Sequence, residues 1–228
     1  TVTIVFSEAV SGFVSGDDVT VANGELANMT SSDNITWTGT FTPTSDVEDA
    51  TNVMTLATSY TDTAGNAGPS ATTSNYTVDT VRPSVSSFTM SDTALISGET
   101  STVTLQFSEA VASFNSNDDI TAPNGSLSLM TSSDNITWTG TFTPTSGVQD
   151  TSNVLTLATS YTDTAGNAPS SASTTANYEV DTTAPSVSSF TVSDSALKIG
   201  DTATVTIVFS EAVSGFVSGD DVTVANGE

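Results

Sequence analysis

An all-β chain made of tandem copies of one two-layer domain is the fold that this sequence predicts, on three observations. The stretch TVTIVFSEAVSGFVSGDDVTVANGE at Thr1–Glu25 returns letter for letter at Thr204–Glu228, and in a diverged form, TVTLQFSEAVASFNSNDDITAPNG, from Thr102. The copies start roughly 100 residues apart, the size of one small domain and far above solenoid periods. Short apolar alternations punctuated by Gly, Pro, Asn and Asp fill each copy, and no segment shows an amphipathic helical period.

The middle copy is complete and gives seven strands in order. Strand A is read at Val85–Ser91, followed by a turn-like Asp92–Thr100. Strand B, Ser101–Phe107, sets Val103, Leu105 and Phe107 against Thr and Gln, the mark of one buried face. Strand C is Asp119–Ala122, closed by the turn signal Pro123-Asn124-Gly125. Strand D is Ser126–Thr131, and strand E is Ile136–Thr143, where Ile136, Trp138, Gly140 and Phe142 share a face. Strands F and G follow at Asn153–Tyr161 and Ser173–Val180. Seven alternating strands in about 100 residues is the pattern of an immunoglobulin-like β-sandwich.

The other copies fit the same scheme. Residues 1–79 form a repeat lacking its first strand, 80–181 the complete repeat, and 182–228 the N-terminal part of a third. At Val78–Pro83 and Val180–Pro185 a final strand ends in Asp and Pro fixes the entry to the next copy, so the sandwiches are arranged end to end. The Trp37 and Trp138 side chains are expected between the sheets, and Tyr60, Tyr76, Tyr161 and Tyr178 half-buried on strands. A sugar-stacking platform on these aromatics, making the repeat a glycan- or partner-binding module, is the competing reading. The missing first strand admits two further readings: the residues are an excerpt of a longer continuous chain, or the tail of one chain donates a strand to the open sandwich of the next.

Charge narrows function. Twenty-six acids face two bases, Arg82 and Lys198, for a net charge of −24. Such a surface repels nucleic acid and anionic lipid. With no cysteine or histidine, disulfides, thiolate sites and histidine-based zinc or acid–base chemistry are excluded. The acids instead collect at the sandwich poles. Glu109, Asp118, Asp119, Asp134 and Asp163 fall on the pole facing the preceding copy, whose own facing pole offers Asp46, Glu48, Asp49 and Asp79. Two acidic poles joined by a short linker repel each other, and a Ca²⁺ ion, which takes about six to eight oxygen ligands, converts that repulsion into a clamp.

Other motifs carry less. Asp163–Asn167 and Asp62–Asn66 look like calcium-loop fragments but lack the remaining positions of an EF-hand. Asp118 and Asp119 are adjacent carboxylates without a pocket or a basic partner, so no enzyme is expected. Sequons stand at Asn28, Asn34, Asn75 and Asn135, common matches in a Thr-rich chain.

Together, Phe107–Val111, Asn135–Pro144, Tyr161–Ala168 and Val180–Pro185, with their earlier copies, resemble the bacterial Ig-like repeats in the extender regions of giant surface and biofilm adhesins. The resemblance implies export to the bacterial cell surface and Ca²⁺-stiffened linkers. It maps metal positions onto Asp79, Glu109, Asp163, Asn167 and Asp181, with Glu8, Asp62, Glu211 and Asp221 as counterparts. The expected function is a structural spacer whose partners are neighbouring repeats, with the adhesive domains elsewhere.

Overall fold

The structure, a computed structural model, describes residues 1–225; Asn226–Glu228, the end of the third copy, lie outside the described residues. In the complete copy one sheet has the order A–B–E–D, made of Val85–Met90, Ser101–Phe107, Thr137–Pro144 and Gly125–Leu127, all antiparallel. Strand B alternates as its sequence demands, with Ser101, Val103, Leu105 and Phe107 buried. Strand D begins at a glycine for a steric reason. A Cβ at Gly125 would lie 2.1 Å from the Phe142 ring, and Asn124 before it turns the chain at φ +55°.

The second sheet corrects three expectations. Strand F lies earlier than its apolar run suggested, as Gln149–Asn153 and Thr156–Leu157, and strand G is likewise divided into Ser173–Thr174 and Tyr178–Asp181. Gln149–Asn153 pairs with Tyr178–Asp181, whereas Thr156–Leu157 sits between Ile120–Thr121 and Ser173–Thr174. Side chains stitch the break. Asn153, buried, donates to the carbonyls of Asp150 and Tyr178 and accepts from Asn124, while the Leu155 N–H reaches the Thr175 hydroxyl at 3.0 Å. Second, Ala94–Ile96, read as a turn, is a short strand running parallel to Tyr178–Asp181 on the sheet's outer edge.

Third, Ser116–Asp119 is a single helical turn, too short to show any period, and strand C starts only at Ile120. The Asn115 side chain accepts from the Asn117 N–H, and Asp119 accepts from the Asn115 N–H at 2.8 Å.

The two sheets close on one core that includes Leu105, Phe107, Phe142, Leu155, Leu157 and Tyr178. Phe114 packs edge-on against both Phe107 and Trp138, at 5.5 and 4.9 Å between ring centres. Trp138 is half-buried against this core, and Trp37 occupies the same place in the first copy. Three tyrosines lie deeper than expected: Tyr60, Tyr161 and Tyr178 are buried, and only Tyr76 is half-buried. The first copy repeats this plan without strand A, so Val2–Val5 pairs only with Thr36–Gly39. In the third, Val187–Val192 pairs with Val205–Phe209 and the helical turn recurs at Ser218–Asp221.

Candidate metal centre

Glu109 stands two residues after strand B, where Phe107 anchors the chain in the core. Asp163 opens the loop between strands F and G. Its Oδ1 accepts the N–H groups of Ala165, Gly166 and Asn167 at 2.7–2.9 Å, and its Oδ2 accepts the Asn167 amide at 2.8 Å. Gly166, at φ +97°, lets the backbone curl around that carboxylate. Burial raises the Asp163 carboxyl, but the Asn167 side chain and these three N–H groups outweigh it and hold it below the ordinary aspartate value.

Asp79 ends the last strand of the preceding copy. The linker after it is pinned on both sides. Thr80 exchanges hydrogen bonds with Val47 and donates to the Thr44 carbonyl at 2.7 Å, and Ser84 and Ser108 bind each other's backbone. Asn167 crosses the junction, donating to the Asp79 carbonyl at 3.1 Å. Arg82 donates from the linker to the Ala168 carbonyl at 2.8 Å.

These restraints bring one carboxylate oxygen from each of Asp79, Glu109 and Asp163 within 4.8 Å of one another. Glu48, paired across the strands with Asp79, adds to the same field. Burial pushes the Glu109 carboxyl above its usual value, and the charges of Asp163, Asp79 and Glu48 push it further. The donors are all oxygen, and the negative charge has no cationic partner within the group. That set suits a hard divalent cation such as Ca²⁺ and offers nothing to soft, sulfur-seeking metals.

The second junction repeats the framework. Thr182 binds Val148 and Thr145 as Thr80 binds Val47 and Thr44, and Ser186 binds Ser210. Asp181 and Glu211 meet there, both contacted by Gln149, and Glu211 Oε1 is buried without a hydrogen-bond partner. Among the described residues these two carboxylates are the ones that meet at this junction.

The remaining sequence candidates fall elsewhere or are engaged locally. Asp118 is exposed and binds the Asn115 side chain, and Asp119 is buried, accepting from the Asn115 N–H and the Ser160 hydroxyl. Asp221 repeats that cap by accepting from the Val217 N–H, while lining the groove that holds Asp181 and Glu211. Asp134 caps its own turn through the Ile136 and Thr137 N–H groups. Asp62 repeats the Asp163 turn with Asn66 in the first copy, where Glu8 is exposed. The parts that sequence reasoning passed over are Arg82 and Gln149. Arg82 stands in the linker shortly after Asp79, and Gln149 occupies the place of Glu48 in the first copy; those positions were the available signal.

The model of the bacterial Ig-like domain family matches residues 1–78, 79–180 and 181–228. The chain belongs to that family. These Ig-like repeats also show a likeness to the crystal structure of domains 4 and 5 of the S-layer protein SbsC, at 16% identity and a TM-score of 0.26, covering 76% of this chain and 74% of that one. No curated protein matches the chain.

Proposed function

We propose that this chain is a non-enzymatic extender segment of a long extracellular bacterial adhesin or filament, exported to the cell surface, whose junctions are stiffened by Ca²⁺. The observation that carries the reading is the convergence of Asp79 from one repeat with Glu109 and Asp163 from the next. A ligand set divided between two sandwiches binds best when they hold a single relative orientation. Asp79, Glu109 and Asp163 would supply carboxylate oxygens, and Asn167 fixes Asp163 and the end of the Asp79 strand. When bound, the ion supplies positive charge among these carboxylates, while the junction's own base, Arg82, is turned to the Ala168 carbonyl.

Two alternatives lose support. The exposed large hydrophobic residues of the first two repeats are Val5, Val14, Val53, Ile96, Leu129 and Val154, with no aromatic among them for a sugar to stack upon. The adjacent carboxylates Asp118 and Asp119 do not form an acid–base pair, since Asp119 is buried and already bonded.

Small-angle scattering and thermal unfolding in Ca²⁺ and then in chelator test the proposal. The maximum dimension and the thermal midpoint are both expected to fall on chelation. By mass action, Ca²⁺ at 100 times its Kd stabilises the bound state by about 2.7 kcal/mol. Identical scattering curves and midpoints in the two buffers would sink the cation clamp.

A further inference from the structure

The two junctions differ at one strand position, and the inference drawn from it rests on the cation reading above. Glu48 lies opposite Asp79 in register, and Gln149 lies opposite Asp181. Like charges set opposite each other destabilise a strand pair. At the first junction this pair confronts Glu109 and Asp163, so four carboxylates share one corner. At the second, the Gln149 amide nitrogen lies 3.1 Å from Asp181 Oδ2 and 3.4 Å from Glu211 Oε2. A neutral two-donor group there joins carboxylates of adjacent repeats. A second exchange accompanies the first: Arg82, which binds the Ala168 carbonyl, is replaced in the next linker by Ala184.

We propose that the residue at this strand position sets how far each junction depends on a cation. Glu48 adds a fourth carboxylate to the first junction, so the hydrogen bonds of Asn167 and Arg82 hold it loosely until a divalent cation neutralises that corner. Gln149 latches the second through its own amide, with no ion required. The two junctions of this chain are therefore one switchable and one permanent joint, and extension on Ca²⁺ binding is concentrated at the first. An amide can replace the ion because it offers one N–H to each carboxylate, whereas a carboxylate can only accept.

The first junction is complete within the chain and serves as the test. Because the sequence holds no cysteine, Thr38→Cys and Thr139→Cys, both exposed strand positions, place one spin label on each side of it in the full chain. Pulsed dipolar spectroscopy then gives the inter-label distance distribution in CaCl₂ and in EDTA. The parent chain should be narrow in CaCl₂ and broad in EDTA. Glu48→Gln should be narrow in both, and Glu48→Ala, which removes the charge without supplying an amide, should stay broader than Glu48→Gln in EDTA. Equal EDTA widths for the Gln and Ala variants would overturn the latch, as would a parent junction already narrow in EDTA. A parent junction broad in both buffers would sink the cation reading alone, since narrowing by Glu48→Gln would still uphold the latch.

Discussion

The same sequence occurs at both ends of the chain in opposite settings. Among the described residues, Thr1–Glu25 packs against strands E, F and G without a strand A beside it, whereas the matching stretch from Thr204 pairs with a strand A and meets none of the later strands. Locally the two agree: each forms a B strand, Val2–Val5 or Val205–Phe209, and each folds Ser-Gly-Asp-Asp into one helical turn. Burial divides them. Val10 and Phe13 are each 7% exposed in the first copy, and their counterparts Val213 and Phe216 are 36% and 41% exposed in the third. Alternation and turn chemistry thus suffice for the local shape, but the core is made by strands distant in sequence. The complete copy has both sets of partners, and its Val103, Leu105 and Phe107 are sealed to 0%, 0% and 1% exposure.

The largest expected effect grades this comparison directly. Phe107→Ala should destabilise the complete repeat by roughly 3–5 kcal/mol, the cost of truncating a fully buried aromatic. Phe6→Ala, at the half-buried counterpart, should cost its repeat clearly less. Urea unfolding resolves the two through Trp138 and Trp37, the chain's two tryptophans, each followed with the other replaced by Phe. Equal losses would show that strand A adds nothing to the seal over the core.

A smaller effect comes from Tyr178, buried against Phe142 and donating to the Pro123 carbonyl. Burial first, and the Asp150 charge second, push its phenol from 10.0 to about 12. A raised folded value means that stability is intact below pH 10.0 and is lost as pH climbs towards about 12. The urea midpoint of the complete repeat should therefore fall across that window, and Tyr178→Phe should flatten the fall. An unchanged slope in the variant would break the link between the seal and this side chain.

What the sequence disclosed follows the same division. Strand B was readable because alternation is a property of neighbouring residues. The divided strand F was not, since Asn153, Asn124 and Thr175 repair its break from other strands. Nor was the strand at Ala94–Ile96, whose parallel partner lies about a whole domain away in sequence. The acids teach this most sharply. Asp119 and Asp163 are both buried aspartates close to turns, yet one is drawn inward by Asn115 and Ser160 while the other faces Asp79 and Glu109. Composition places carboxylates near a pole, and only the packing of strand and loop decides which of them meet.

The most direct measurement is anomalous diffraction from crystals of this chain grown in Ca²⁺. One strong peak is expected at the first junction, about 2.3–2.6 Å from oxygens of Asp79, Glu109 and Asp163. An ordered junction with those three carboxylates resolved and no peak between them, at saturating Ca²⁺, would contradict the cation clamp.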